Sequence, residues 1–240
     1  TLFRSDSLRQ ALREFVDKVA AAVDAVPADP DGFVAWFKGL KTTGPGQYDR
    51  LFDWLAEDAT FEEMSWFLTQ EAAGEAGFDD LVALTQVKLP PMAKLELARN
   101  YWDEMGRGHY GGMHGPMLDR TVEGLGLKPA IDDTAWESLA LANTLTAFAT
   151  TRRYAYHSVG ALGVVELTAP TRVAKVAQGL KRLGCEPKVR KYFDLHAVLE
   201  WTPAFADDFR GDVVLPVQVL DANNVVVMEA DITMYVSPRR

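Results

Sequence analysis

Residues 192–201 read YFDLHAVLEW, and this stretch combines a helical pattern with an imidazole and an acid. His196 and Glu200 are four residues apart, about one helical turn, so both side chains project from the same face. Apolar side chains cross the rest of that face. Ionised groups are costly to bury unless they are paired or bound to a metal. The stretch therefore indicates either a His/Glu pair on a partly wet face or two ligands of a metal ion.

An upstream segment, NYWDEMGRGHYGGMHG at residues 100–115, offers further candidates. On an unbroken helix Glu104 and His114 would be roughly 15 Å apart, too far for both to reach one ion at ~2.1 Å. Four glycines lie between them, and each lowers helix propensity and permits a positive φ. We therefore expect the helix to break here. The break would either allow shared ligation or form a loop that leaves His109 and His114 solvated.

Length and composition limit the classes of function. The chain has 240 residues, of which 48% are hydrophobic, enough for a substantial core, and we favour one domain. A net charge of -9 argues against nonspecific binding to nucleic acid or to an anionic membrane. No apolar run of ~18 residues or signal segment is present, so a soluble, cytoplasmic protein is expected. The single cysteine, Cys185, excludes an internal disulfide and a Cys-based zinc site.

Helical periodicity dominates the chain, beginning with an amphipathic stretch that Ser5 or Ser7 can cap. The pattern predicts further helices over residues 32–39, 48–59, 61–74, 78–85, 91–105, 114–124, 133–165 in two pieces, 171–183 and 187–209. The segment 213–236, VVLPVQVLDANNVVVMEADITMYV, has two β-like runs joined at Asn223 and Asn224. A helix pair is the competing interpretation of that segment.

Several motifs, in one order along the chain, carry a resemblance to a known family. They are FLTQEA, GFDDLVALTQ, AKLELARNYWDEMGRG, GALGVVELTAP and YFDLHAVLEW. With these motifs the chain resembles the haem-oxygenase-like non-haem diiron oxidases and oxygenases, also called iron-containing redox enzymes, from about residue 61 onward. The resemblance implies an all-α fold, a compact haem-oxygenase-like bundle of about seven helices. It further implies a single domain over residues 1–240, least covered over 1–60, and a helical segment at 213–236, which we prefer to the hairpin.

The resemblance also implies a set of metal ligands. In chain order they are Glu71, Glu104, His114, Glu166, His196 and Glu200. Glu71 matches a carboxylate that some members use, and Glu200 stands where an aspartate is usual. The family has a further histidine at the position of Pro203. Proline offers no side-chain donor and disturbs the helical turn that it enters, so one ligand position is altered.

The altered position affects only one of two metal sites. Glu104, His114 and His196, with Glu166 nearby, suit Fe(II) with open positions for O2 and substrate. A second site would use oxygen ligands from Glu71, Glu166 and Glu200, which suit harder ions such as manganese. His109 and His157 are the candidate substitutes for the missing histidine. For both we prefer the interpretation of a solvated or core-satisfied side chain.

These ligands lead to an expected function. We expect an O2-activating non-haem iron oxidase or oxygenase with one or two Fe(II) ions, O2 as co-substrate and no catalytic residues beyond the metal ligands. Its substrate would be a small amine- or carboxylate-bearing metabolite, by analogy with the family. N-oxygenation, oxidative C–C cleavage and decarboxylation are the candidate reactions. Arg152, Arg153 or Lys191 would bind an anionic substrate if they face the cavity. Partners would be an external reductant and a second copy of the chain in a homodimer.

Two other classes of protein stay open. The chain would be a metal-poor, non-redox relative that binds a small molecule or a partner if Pro203 disables the centre. Haem oxygenases and thiol-dependent enzymes share the same bundle, but the former need an early axial histidine, and none precedes His109. The latter need a placed cysteine, and Cys185 lies in a predicted turn with no histidine near it in sequence.

Overall fold

The computed structural model describes residues 26–44, 46–75 and 77–197 in full, and the backbone alone of residue 198 and of residues 211–220 and 226–236. These residues contain nine α-helices and one two-stranded antiparallel sheet. The helices are α1 (Pro30–Thr43), α2 (Arg50–Glu57), α3 (Phe61–Gly74), α4 (Phe78–Thr85), α5 (Pro91–Glu104), α6 (His114–Gly124), α7 (Trp136–Thr150), α8 (Ala155–Arg182) and α9 (Pro187–Val198). The strands are β1 (Gly211–Leu220) and β2 (Val226–Val236). The predicted helical bundle is therefore confirmed, with nine described α-helices in place of about seven.

Local signals fix several helix boundaries where the sequence predicts them. Helix α3 begins after a capping box, in which Thr60 Oγ1 accepts from the Glu63 N–H at 3.2 Å and Glu63 Oε2 accepts from the Thr60 N–H at 2.8 Å. These hydrogen bonds to Thr60 lower the pKa of Glu63. Helices α3, α4 and α6 have the predicted bounds. Residues 1–25, and with them the predicted first helix and its caps, lie outside the described residues.

Helix α8 corrects the predicted division of residues 133–183. The chain breaks at a 3₁₀ turn, Arg152–Tyr154, and α8 then runs unbroken through Pro170. Proline removes the N–H that would bond the Glu166 carbonyl. Beside this position, Gln47 Nε2 donates to the Thr168 carbonyl at 2.9 Å and Gln47 Oε1 accepts from Thr171 Oγ1 at 2.6 Å. Gln47 thus supplies hydrogen bonds near the irregular turn, and packing on both sides keeps the helix continuous.

Two hydrophobic clusters form the core, and α8 contributes to both. The first cluster joins α2, α3, α8 and α9 through the buried side chains Leu55, Ala59, Met64, Leu68, Val176, Ala177, Leu180 and Phe193. The second joins α4, α7 and α8 through Leu81, Val82, Leu145, Ala149 and Leu162. Glu166 lies on α8 between the residues of the two clusters. Both clusters therefore fix the position of α8, the helix that carries the Glu166 carboxylate.

Helices α2 and α8 approach each other closely at Gly179. A Cβ there would overlap the Leu55 carbonyl oxygen and lie 2.6 Å from Met64 Cε. One helical turn away the contact is polar, since Arg182 Nε donates to the Ala56 carbonyl at 2.9 Å and Nη2 to the Ala59 carbonyl at 2.6 Å. The guanidinium thus satisfies carbonyls that the end of α2 leaves free. The first core cluster depends on this approach.

The segment 213–236 is a hairpin, so the expectation of a helix there is wrong. Strands β1 and β2 pair in antiparallel register from Gly211↔Val236 to Leu220↔Val226, with an irregularity at Val219/Leu220. The segment is rich in β-branched residues, which favour strands. Pro216 would also break a helix in its interior. The residue pattern was the better guide here than the resemblance.

Contacts within the chain form two compact units, Thr1–Leu199 and Glu200–Arg240. The helices belong to the first unit and the hairpin to the second. The single helical domain over residues 1–240 stays a prediction. None of the helices in the described part of the chain has both the length and the hydropathy needed to cross a bilayer.

Replacing Gly179 with Ala should separate α2 from α8. We expect Gly179→Ala to lower the free energy of unfolding by about 2 kcal/mol, since overpacking a tight contact typically costs 1–3 kcal/mol. Gly160→Ala is the matched control in the same helix, because a Cβ there meets nothing within 4 Å and alanine raises helix propensity. Thermal unfolding measures both. Equal melting temperatures for the two variants would contradict the close approach.

Candidate metal centre

A glycine-rich loop brings the end of α5 to the start of α6. Helix α5 ends at Glu104, and Met105 then pairs with Met113 in an isolated antiparallel bridge. Between them three successive residues are left-handed, Gly106 at φ 61°, Arg107 at φ 55° and Gly108 at φ 83°. Glycine tolerates this conformation, and Arg107 Nε is held by Asp103 Oδ1 at 2.7 Å. The chain reverses here, so the predicted break between Glu104 and His114 is confirmed.

Three of the predicted ligands meet in the interior. Glu104 Oε2 lies 2.7 Å from His114 Nδ1, and His196 Nε2 lies 3.1 Å from the same His114 Nδ1. Glu104 and His114 are only 5% and 7% exposed. Two ligand atoms at right angles around a metal, each ~2.1 Å from it, are about 3 Å apart. The separations therefore resemble those between neighbouring ligands of one ion.

The hydrogen bonds fix which nitrogen of His196 faces the centre. His196 Nδ1 lies 2.7 Å from the Tyr192 carbonyl oxygen, which can only accept, so Nδ1 carries the proton. His196 Nε2 then presents a lone pair toward His114. The proton on His114 Nδ1 consequently lies between two acceptors, Glu104 Oε2 and His196 Nε2. A cation bound by the same three atoms would displace that proton.

The two histidines differ in their pKa. For His114 burial alone would lower the pKa, but the hydrogen bond and the charge of Glu104 outweigh burial and raise it. For His196 burial, together with the charge of the neighbouring His114, lowers the pKa. His196 is therefore kept neutral, the form in which imidazole binds metals.

Two further carboxylates, those of Glu166 and Glu75, interact electrostatically with Glu104 and His114. Asn100 Nδ2 donates to Glu166 Oε1 at 3.1 Å, and the Tyr192 hydroxyl donates to Glu75 Oε1 at 3.3 Å. Burial and the charge of Glu104 raise the pKa of Glu166. Burial and the charges of Glu104 and Glu71 raise the pKa of Glu75 to about 8. For both acids, burial and the repulsion between carboxylates outweigh the opposing effects of hydrogen bonding and of the charge of His114.

Glu75, Tyr192 and Asn100 are the residues of the centre that the sequence analysis missed. Glu75 follows Glu71 by four residues, which places both carboxylates on one face of a helix. This four-residue spacing is a sequence signal from which Glu75 could have been predicted. Tyr192 lies inside the quoted stretch, and its ring centroid is 4.2 Å from that of His196. Burial raises its pKa well above the ordinary value of tyrosine, so its hydroxyl stays protonated and acts as a donor.

Glu71 lies at the edge of this group. Its side chain is exposed, yet the surrounding protein raises its pKa by desolvation, while the charge of Arg172 acts in the opposite direction. We interpret this combination as a carboxylate that lines a space among the helices. The charge of Glu71 reaches Glu75 and Tyr192. Glu200 and Pro203 lie outside the described residues.

The remaining candidates from the sequence lie away from the centre. His109 is exposed on the glycine-rich loop, and His157 is exposed and packs against the rings of Phe148 and Tyr154. Arg152 and Arg153 are exposed on a 3₁₀ turn. Lys191 is also exposed, and its Nζ donates to the Gly111 carbonyl at 3.3 Å.

The ligand candidates of the described residues bond to one another rather than around a common point. Among these residues no group of three or more His, Cys, Asp and Glu side chains has an arrangement ready to hold a metal ion. Binding would require the proton of His114 to leave and the side chains to turn toward the ion. The donor types themselves, two imidazoles and several carboxylates, suit iron or manganese.

Comparison with protein families gives one match. A family model described as iron-containing redox enzyme matches residues 65–202, more than half of the chain. The matched segment includes every predicted ligand from Glu71 to Glu200 and ends one residue before Pro203. No curated protein matches the sequence significantly.

The conformation of the glycine-rich loop should control metal affinity. At Gly106 the φ is 61°, and a Cβ would overlap the backbone of Gly112 and Met113. We expect Gly106→Ala to weaken Fe(II) binding about tenfold or more, since it moves Glu104 away from His114. Gly111→Ala is the matched control, because a Cβ there meets nothing within 4 Å. Anaerobic calorimetric titration measures both, and equal affinities would contradict this role of the loop.

Glu75 should make the stability of the metal-free protein depend on pH. Its pKa is about 8 in the folded chain against an ordinary value of 4.5. Between these values the unfolded chain has lost a proton that the folded chain keeps, so stability falls as the pH rises from about 4.5 to 8. We expect Glu75→Gln to remove this decline, worth on the order of 4 kcal/mol at pH 8.

The measurement is thermal unfolding of the metal-free protein at several pH values, with Glu137→Gln as the control at an exposed position of α7. The Glu137 variant should follow the wild-type curve. Parallel curves for the wild type and Glu75→Gln would show that Glu75 is not the group responsible.

Proposed function

Because the chain belongs to the iron-containing redox enzyme family, we propose that it holds Fe(II) between Glu104, His114 and His196 and uses O2 to oxidise a small metabolite. Family membership supports the coarser statement of an iron-dependent redox function. One observation carries the finer proposal. Glu104 Oε2, His114 Nδ1 and His196 Nε2 converge in the interior from three different elements.

The electrostatics of the centre support a resident cation. Four carboxylates, Glu71, Glu75, Glu104 and Glu166, act on one another's charge or on that of the two histidines. Burying several acids together is unfavourable without countercharge. A divalent ion supplies two positive charges at once and favours the ionised form of each carboxylate ligand. Two histidines and one carboxylate also form catalytic zinc sites, so the preference for iron rests on family membership.

The protein would orient its ligands through hydrogen bonds to their outer atoms. The Tyr192 carbonyl holds the Nδ1–H of His196, so that Nε2 faces inward. Asn100 donates to Glu166, and the Tyr192 hydroxyl donates to Glu75. Bound iron would supply the reduction of O2, which side chains alone do not provide. The two apolar clusters around α8 would keep water from the reacting atoms.

Glu75 offers a solution to the altered ligand position at Pro203. With Glu71 and Glu166 it would give a second ion three carboxylates, an oxygen-only set that suits Mn(II) as well as Fe(II). We propose this set in place of the histidine that the family has. Glu200, a further ligand by the resemblance, lies outside the described residues. For the reaction we propose N-oxygenation, oxidative C–C cleavage or decarboxylation of a metabolite that carries an amine or a carboxylate. Its support is the family resemblance alone.

Anaerobic loading with Fe(II) followed by exposure to O2 tests the function. We expect at least one tightly bound iron per chain and rapid O2 consumption, both lost in His196→Ala and Glu104→Ala. His157→Ala is the matched control, since His157 is exposed and packs against Phe148 and Tyr154. Removal of one ligand should weaken iron binding by about 10- to 100-fold or more.

The iron count separates the outcomes. Two irons per chain, one of them lost in Glu75→Gln, would support the carboxylate-rich second site. One iron would favour a mononuclear oxygenase built on Glu104, His114 and His196. No bound iron would overturn the redox proposal and favour a relative that binds a small molecule or a partner.

A further inference from the structure

Two cations meet on the outer side of the glycine-rich loop. Arg120 Nη2 donates to the Gly111 carbonyl at 3.0 Å, and Lys191 Nζ donates to the same carbonyl at 3.3 Å. The two charged nitrogens therefore lie within about 6 Å of each other, a separation at which like charges repel. Arg120 comes from α6 and Lys191 from α9, so the fold brings them together from distant parts of the chain.

Within the described part of the chain, no acid forms an ion pair with either of these two cations. The ion pairs of the described residues include Arg107 with Asp103 and Arg190 with Asp194, but none with Arg120 or Lys191. The Gly111 carbonyl accepts one hydrogen bond from each and carries no net charge. In a chain of net charge -9, two adjacent cations without an ion pair among the described residues form a local positive charge that would attract an anionic partner.

An exposed aromatic residue adjoins the Gly111 carbonyl that both cations contact. Tyr110 is 75% exposed and directly precedes Gly111 in the loop. Tyrosine and arginine are enriched at the centres of protein interfaces, whereas isolated lysines are not. We name Tyr110, Gly111, Arg120 and Lys191 the loop patch.

The loop patch is continuous with the candidate metal centre. Gly111 lies three residues before His114, and Lys191 directly precedes Tyr192. The ring centroid of Tyr192 is in turn 4.2 Å from that of His196. A partner seated on the loop patch would therefore be separated from the centre by a few covalent and packing contacts.

We propose that the loop patch docks an acidic electron-transfer protein, an iron–sulfur or flavin protein, that returns the iron of the centre to Fe(II). In this step the donor loses one electron and Fe(III) gains it, with no atom transferred. The inference rests on the proposed function, since it requires iron at the centre. Electron-transfer complexes use small interfaces, and complementary charge speeds their encounter. A patch of two cations and one aromatic ring fits such a short-lived contact.

A plant-type [2Fe–2S] ferredoxin, which is strongly acidic, serves as the probe. Arg120→Gln combined with Lys191→Gln removes both charges but keeps an amide N–H for the Gly111 carbonyl. Lys38→Gln combined with Lys94→Gln is the matched control, with the same change in net charge at exposed positions of α1 and α5. The full chain, loaded with iron, is titrated with ferredoxin at low and high ionic strength, and its reduction by ferredoxin is followed by stopped flow.

We expect the loop-patch variant to bind ferredoxin about tenfold more weakly at low salt and to be reduced correspondingly more slowly. The difference should shrink at high salt, where surface charges are screened. The control should stay within about twofold of the wild type. Reduction by dithionite needs no docking and should be the same in all three proteins, which excludes damage to the centre itself.

Four results would overturn the proposal. Equal weakening of ferredoxin binding in the loop-patch variant and in the control would mean that the net charge of the chain, and not the loop patch, governs binding. Undetectable ferredoxin binding by the wild type, with iron bound and reducible by dithionite, would overturn docking and leave the proposed function intact. Competition for the loop patch by inorganic phosphate, without any effect of ferredoxin, would indicate a small-anion site instead. A chain that binds no iron would overturn both proposals, and the iron assay reports this separately.

Discussion

The contact between Glu104 and His114 is the constraint on which the centre depends. It joins residues ten positions apart in sequence, and only the left-handed run at Gly106–Gly108 lets the backbone reverse between them. The reversal also sets where α6 begins, and His196 can then approach His114 from α9. A carboxylate and an imidazole brought together in this way are buried at the same time. The loop therefore determines both the geometry of the centre and the free-energy cost of burying its charged groups.

Helix α8 provides the second constraint, because it must be both closely packed and irregular. Gly179 lets it lie against α2, which fixes its C-terminal half in the first core cluster. Its N-terminal half is fixed by Leu162 in the second cluster. The irregular turn before Pro170 falls between these anchors, at the carbonyl of Glu166. A ligand candidate thus occupies the part of the helix whose main-chain hydrogen bonding is interrupted, while packing on both sides keeps the side chain in position.

The sequence predicted features that local chemistry decides. A capping box starts α3, and glycines end α5, so these boundaries follow from a few neighbouring residues. Helix α8 continues through Pro170, and Gln47, more than one hundred residues away, forms hydrogen bonds with Thr168 and Thr171 beside it, a contact that no local pattern contains. The residue pattern of segment 213–236 predicts the hairpin, whereas the family resemblance implies a helix there. To predict that Glu75 belongs to the centre, one must know which face of α3 turns inward. That depends on tertiary packing.

The charge distribution links the centre to the surface around it. The acids are concentrated inside, where burial and mutual repulsion raise the pKa of Glu75 and Glu166. Two cations from α6 and α9, which form no ion pair among the described residues, donate outside to the loop that joins Glu104 to His114. The interior charge opposes folding of the metal-free chain, and a divalent ion that bound only the folded form would offset this free-energy cost. The ionised acids would therefore favour ion binding, and the loop that joins Glu104 to His114 also holds the two cations of the neighbouring surface through the Gly111 carbonyl.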